Sequence, residues 1–349
     1  MKKLITLVSA VFFLGLCAPL WAAGTLTVFI WSEYMDPEII SAFEKKFDVK
    51  VRLDYYESNE EMMAKLDKGG GLGKYDIIVP STYFVPSLTN LNLVQALDHK
   101  RLPNLKNLDP AFTAKDYDPG NKYTIPYQWG TSGLVVRAAD PDQINKSWAL
   151  LFDPEVKDSR FIIFDTARDA IGSALKYLGY SMNSTNPKEI EEAITLLTAT
   201  KKRPSFLGFD GGVGGLSKVM SGFATVAQVY SGDAIKGHEE EDQGVHYILP
   251  AEGCEIWTDL VAIPRSAPNL DNAYAFINYL LEPEVGAKLA TFNRYATPNA
   301  AARAFIPKED LDNPVMYPSA EAIEKMEYIK DLGSANRLYD EAWTMIKTQ

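Results

Sequence analysis

The chain has 349 residues and a mass of 38.8 kDa, more than the ~250–300 residues one core usually serves, so two lobes are expected. With 46% apolar and 23% charged residues it is neither disordered nor collagen-like. A formal charge of −11 and a pI of about 4.9 disfavour nucleic acid, whose phosphates need clustered Lys and Arg, and suit cationic ligands.

Lys2 and Lys3 precede an apolar run from Leu4 to Leu16, and small residues follow at Ala18, Ala22 and Ala23. This pattern predicts a secretory signal peptide over 1–23; the run is shorter than the ~17–25 residues of a membrane span. Leu14-Gly15-Leu16-Cys17 hints at a lipoprotein box, but Leu16 is bulky where a small residue is wanted, so lipid anchoring is the lesser reading. Cleavage removes two lysines and no acid, which takes the charge to −13, and it leaves Cys254 as the one thiol, so no internal disulfide can form.

A buried strand is predicted at Thr25–Trp31. Asp36-Pro37 opens a helix to about Phe47, and Val49–Tyr55 is a second strand. Ser58 and Asn59 cap a helix through Lys68, Tyr75–Val79 is a third strand, and Pro80-Ser81-Thr82-Tyr83 leads into a short helix. Further strands are predicted at Leu134–Arg137, Phe161–Phe164, Ala224–Tyr230, His246–Leu249 and Leu260–Ile263. Helices are predicted at Arg168–Leu178, from Asn186-Pro187 to Thr200, at Leu270–Leu281 and at Ala335–Ile346. Glu239-Glu240-Glu241-Asp242 reads as a solvated loop. This alternation implies doubly wound, mostly parallel sheets, joined by short crossing segments because no flexible linker intervenes.

Motifs for catalysis and cofactors fail one by one. Zinc spacings are missing, and there are only three histidines, His99, His238 and His246. Asp116-Tyr117-Asp118 starts like a calcium loop, but Tyr127 stands where its last Glu belongs. The glycines at 69–73 lack the Ser or Thr of a phosphate loop after Lys74, and those at 211–215 miss the dinucleotide spacing. No cofactor and no metal are expected, and a binding role is favoured over an enzyme.

A local pattern then recurs: aromatic and acidic residues beside strand ends. It includes Trp31-Ser32-Glu33-Tyr34, Ser81-Thr82-Tyr83, Tyr230-Ser231-Gly232-Asp233, Trp257-Thr258-Asp259 and Tyr295. Ligands of open α/β sheets sit beyond the carboxyl ends of strands. Aromatic faces attract cations and carboxylates accept ammonium protons, so the pattern describes a site for an aliphatic amine. Each ring taken alone is more often a half-buried packing residue.

With Tyr56-Glu57-Ser58-Asn59-Glu60, Ile125-Pro126-Tyr127, Trp129-Gly130 and Thr297-Pro298-Asn299 added, the chain resembles the bacterial periplasmic spermidine/putrescine-binding proteins of ABC importers over nearly its whole mature length. The resemblance implies a hinged, two-lobed periplasmic-binding-protein fold of type II. Lobe 1 would be 24–130 plus 260–302, and lobe 2 would be 131–259 plus 303–349. It implies a periplasmic receptor, expected to act as a monomer, that captures a small cationic amine and hands it to a membrane permease. Trp31, Tyr34 and Tyr295 would flank the alkyl chain and first amine, with help from Ser32, Glu33 and Tyr83. Trp257 would stack on the chain and Asp259 would pair with an amine. Asp169 stands where the family has a Glu; Asp233 and Ser81 match putrescine-type members. Thr166 replaces an Asp, Tyr230 a Trp and Ile329 a Gln of spermidine-type members, which favours putrescine over spermidine. The rivals are a same-fold receptor for another amine or an ω-amino acid, and a secreted hydrolase using Asp169 and Asp259 as acid and base.

Overall fold

The structure is a computed structural model and describes residues 24–348 except 68, 69, 114, 158 and 241–243. The expected signal peptide, the lipoprotein-box lookalike and part of the acidic run therefore lie outside the described residues. The first α/β series comprises β1 (Gly24–Trp31), α1 (Pro37–Phe47), β2 (Val49–Tyr56), α2 (Asn59–Asp67), β3 (Ile77–Ile78) and α3 (Val85–Asn90). Asp36 caps α1 by accepting the Glu38 N–H at 2.8 Å, with Pro37 in the first turn. The long strand β4 (Thr124–Arg137) follows, then α4 (Ala149–Phe152), β5 (Phe161–Phe164), α5 (Ala167–Tyr177), α6 (Pro187–Lys201), β6 (Phe206–Asp210), α7 (Gly212–Met220), β7 (Val226–Tyr230), α8 (Ser231–Glu240) and β8 (Val245–Ile248). The chain ends with β9 (Glu255–Ala262), α9 (Leu270–Leu280), α10 (Pro283–Asn293), α11 (Lys308–Leu311), α12 (Ala320–Glu324) and α13 (Asn336–Thr348).

Among the described residues nine strands form one sheet in the order β2-β1-β3-β9-β4-β7-β5-β6, and β8 pairs with β4. The β2-β1-β3 and β7-β5-β6 groups are parallel; β9 and β4 run antiparallel to their neighbours. At about 3.4 Å per residue, the 14 residues of β4 are long enough to serve both groups. It pairs with β9 through Ser132 and with β7 and β8 beyond that point.

Two main apolar cores flank this seam. One gathers Leu26, Val28, Ile30, Phe43, Ile77, Phe276 and Ile277, and also takes in Trp257 and Tyr295. The other gathers Leu134, Trp148, Phe161, Ile163, Leu175, Leu197 and Tyr339. Two cores on one sheet make the two-lobed architecture.

Several elements differ from the sequence expectation. The predicted strand at 134–137 is only the end of β4. Trp257-Thr258-Asp259 lies inside β9 rather than at its opening. The predicted third strand shortens to Ile77–Ile78. The Asp118 carboxylate accepts the backbone N–H groups of Tyr123 and Thr124.

Candidate functional site

The carboxyl ends of β1, β3 and β7, the start of α5 and the middle of β9 converge on one cleft along the seam. Period-2 alternation places Glu255, Trp257 and Asp259 on one face of β9. The β4 partners opposite them are Ser132, Gly130 and Gln128. A Cβ on Gly130 would lie 2.6 Å from the Trp257 ring, so only glycine lets the indole lie over β4 there.

Rings wall the cleft. Trp257 meets Tyr295 edge-on at 5.0 Å and Tyr230 at 6.0 Å. Tyr34 meets Tyr295 at 5.7 Å and Tyr127 at 5.2 Å. The Trp257 Nε1 is buried with no hydrogen-bond partner, which leaves a polar atom in the cleft wall available to a ligand, while the buried Tyr34 phenol lies within hydrogen-bond reach of Asp259.

Four acidic side chains sit among these rings. Asp259 is 7% exposed and accepts the Ser81 hydroxyl at 2.7 Å. Ser81 and Tyr83 are in turn held by the Asn59 amide, each at 3.2 Å. Burial pushes the Asp259 carboxyl up to about 7, and Ser81 and the nearby Tyr34 phenol offset part of that rise. Asp233, half-buried in the first turn of α8, is pushed up to about 6 by desolvation, against the hydrogen bond from Tyr295 and the Lys236 charge, with the Glu33 charge adding to the rise. Asp169, in the first turn of α5, accepts the Thr166 hydroxyl at 2.6 Å. It lies against Glu255, whose carboxyl is driven well above the usual range by burial and then by the Asp169 charge.

Asp259, Asp233, Asp169 and Glu255 have no Lys or Arg ion-pair partner among the described residues. Lys236 lies one turn beyond Asp233, over the Phe292 ring at 5.2 Å. Arg168 donates to the Lys330 carbonyl and to Asn336 and Asn183, and Arg294 pairs with Glu239 and Asp310. Arg294 is therefore committed elsewhere, whereas Arg168 keeps its buried Nε without a hydrogen-bond partner.

The structure thus brings together Tyr34, Ser81, Tyr83, Thr166, Asp169, Tyr230, Asp233, Trp257, Asp259 and Tyr295. It turns others elsewhere. The Trp31 indole N–H donates to the Val79 carbonyl at 3.0 Å, and its ring packs on Tyr56. Ser32 bonds Glu57 on the exposed rim. Glu33 is exposed, in a left-handed turn with φ 54°, and reaches the site through its charge on Asp233. Ile329 is buried at 3% exposure. Sequence reasoning missed Glu255 and the hold of Asn59 on Ser81 and Tyr83. The two-residue spacing Glu255-x-Trp257-x-Asp259 was the signal for Glu255.

Residues 38–318 match the model of a family described as bacterial extracellular solute-binding protein. The chain belongs to that family. It is 38% identical to the spermidine/putrescine-binding periplasmic protein of Escherichia coli over 93% of this chain and 92% of that protein. It is 35% identical to a putrescine-binding periplasmic protein of Pseudomonas aeruginosa, again over 93% of this chain and 92% of the relative. A solved putative spermidine/putrescine ABC transporter protein from Listeria monocytogenes superposes with a TM-score of 0.85 at 35% identity, covering 93% of this chain and 99% of that one. Like these relatives, the chain has the two-lobed fold of periplasmic solute receptors. No described helix is long and apolar enough to cross a membrane.

Proposed function

We propose that the chain is a periplasmic receptor that closes on a small aliphatic polyamine, with putrescine ahead of spermidine, and delivers it unchanged to the permease of an ABC importer. The observation that carries the reading is a set of four carboxylates among aromatic rings, none of them ion-paired to a Lys or Arg among the described residues. Desolvated charge needs a partner, and Arg168 and Lys236 act on these acids only from a distance, so negative charge is left over for a ligand. An ammonium supplies the charge and the N–H donors, and its methylenes suit the faces of Trp257, Tyr230 and Tyr295. The Thr166 hydroxyl is committed to Asp169 and Ile329 offers no polar atom, which supports the shorter ligand. The names of the relatives support the same class. We place two lobe crossings inside the paired strands, near 130 in β4 and near 257 in β9, and the third near 302. Asp259 would then belong to lobe 1, since it pairs with Ser81 and the next N–H, of Leu260, donates to the Pro80 carbonyl.

The test is calorimetric titration of ligand-stripped protein with putrescine, cadaverine, spermidine and γ-aminobutyrate, followed by recovery of the amine. Saturable heat, strongest with putrescine, a change in tryptophan emission and unaltered amine are expected. Silence toward every amine, tighter binding of γ-aminobutyrate, or a consumed ligand overturns the reading.

Closure itself can be probed at Gly232. A Cβ there would come within 2.6 Å of the Tyr295 ring, and these residues lie on opposite sides of the cleft. Overpacking costs roughly 1–3 kcal/mol, so Gly232→Ala is expected to weaken putrescine binding by about one to two decades. Melting of the ligand-free protein should change little. Unaltered affinity would show that the lobes do not meet at this point in the complex.

A further inference from the structure

The inner end of the cleft holds two carboxyl groups where one would serve a monovalent head group. Glu255 and Asp169 are each 6% exposed and close enough to share a hydrogen bond. Two ionised carboxylates repel at that range, so one of them must carry a proton for the contact to form. Each also accepts an outer hydroxyl: Ser132 donates to Glu255 Oε2 at 2.6 Å and Thr166 to Asp169 Oδ2 at 2.6 Å. The inner oxygens, Oε1 and Oδ1, remain for each other or for a ligand.

The charges around the pair decide what can enter. Arg168 is buried, near both acids, and donates only to neutral groups: the Lys330 carbonyl, Asn336 and Asn183. Asp259 lies farther along β9, and Glu60 approaches Asp169 from α2. Lys176 is neutralised by Glu327 at 3.0 Å. The phenols of Tyr83, Tyr230 and Tyr247 and the Cys254 thiol also feel these charges, and burial keeps all four protonated. With the proton in place, Arg168, Asp169 and protonated Glu255 sum to zero. An added ammonium would leave one buried positive charge unless the proton leaves. With the proton gone, two cations face two carboxylates, the sum is again zero, and the ammonium N–H groups replace the lost O–H donor. The N-terminal turn of α5 adds its dipole in favour of the second negative charge.

We propose that Glu255 and Asp169 form the inner cation subsite of the cleft, and that a primary ammonium enters it by displacing the proton Glu255 holds, which passes to solvent. This rests on the amine-receptor reading above. The aliphatic ammonium stays protonated well past pH 8, as a Lys side chain does at about 10.4, so the released proton comes from the protein. At pH 8 Asp259 and Asp233 are already largely ionised, so the pair is the remaining source.

The experiment is titration of stripped protein with putrescine at pH 8 in phosphate and in Tris, whose ionisation heats differ. The difference in observed heat counts protons released. Wild type should release close to one proton per amine bound. Glu255→Gln keeps the hydrogen bond to Asp169 but has no proton to lose. It should release close to none and bind roughly ten- to a hundredfold more weakly, the scale of one charge-assisted hydrogen bond. A second measurement needs neither ligand nor variant: infrared spectra of stripped wild type at pH 8 should show a protonated-carboxyl C=O band. Absence of that band, absence of proton release in wild type, or equal release by a folded Glu255→Gln overturns the proposal. A band without any putrescine heat refutes the amine reading and the exchange together, whereas putrescine heat without proton release refutes the exchange alone.

Discussion

Asp259→Asn should bind putrescine at least two orders of magnitude more weakly than wild type at pH 8. The carboxylate is 7% exposed and is oriented by the Ser81 hydroxyl at 2.7 Å, so a ligand ammonium meets it with little water between. Removing one partner of a desolvated pair costs roughly 3–5 kcal/mol because the remaining charge stays buried, which is about two to three and a half decades in Kd. The same change should not harm the empty protein. Burial holds Asp259 near 7, so at pH 8 the ionised side chain opposes folding and its amide replacement relieves that cost. The variant should melt at or above the wild-type temperature without ligand and gain less on adding putrescine. Equal affinity would remove Asp259 from the site, and a melting point many degrees lower would mean that it serves the fold instead. Ser81→Ala tests the orientation and should cost about 1 kcal/mol.

How much of this could be read from sequence follows from what each residue's role depends on. Strand-end positions depend on topology. The strand-end pattern pointed to Tyr34, Ser81, Tyr83, Tyr230 and Asp233, whereas Asp169 and Thr166 entered only through the family resemblance. Rotamers depend on neighbours that sequence does not show, so Ser32 turned to Glu57 and the Trp31 N–H to the Val79 carbonyl. Glu255 was missed because β9 was begun too late. With its first residue at 255, Glu255 falls on the same face as Trp257 and Asp259. The start of β4 was hidden by Pro126 and Gly130, which are poor strand formers. Pro126 sits at a register irregularity, and Gly130 makes room for the Trp257 ring. Helix α7 was hidden for a related reason. Its Gly212-Val213-Gly214-Gly215 start has low helix propensity, yet a Cβ on Gly212 would come within 2.9 Å of the Tyr230 ring. Tertiary packing selects glycine there against local preference.

The acids of the cleft also tie binding to pH, with a sign that can be worked out. The folded protein holds Asp259 near 7 and Asp233 near 6, against about 3.9 for a solvated Asp. Both values are raised, so the empty folded state binds protons more tightly than the unfolded chain. The stability these two groups contribute is therefore fully present below about pH 4 and falls as pH rises through their folded values, by about 1.4 kcal/mol per unit for each group titrating in that window. For Asp259 the window runs from about 4 to about 7, some 4 kcal/mol at most. The amine has the opposite preference, because it binds the ionised carboxylates. Below pH 7 each decade of acid should cost about a decade of affinity for Asp259, and below pH 6 another for Asp233. From pH 8 to pH 5, putrescine should therefore weaken by about a thousandfold at fixed salt through these two groups, the Glu255 proton should add about a decade per pH unit across the range, and the steepest part should lie below pH 6. The melting shift produced by a fixed amine concentration should grow with pH over the same range, even as the empty protein loses stability. Asp259→Asn and Asp233→Asn should each flatten the affinity profile by about one decade per unit in their own windows. A Kd that stays level from pH 5 to pH 8 would mean that the ammonium groups do not meet these buried carboxylates, and the cleft reading would fall with it.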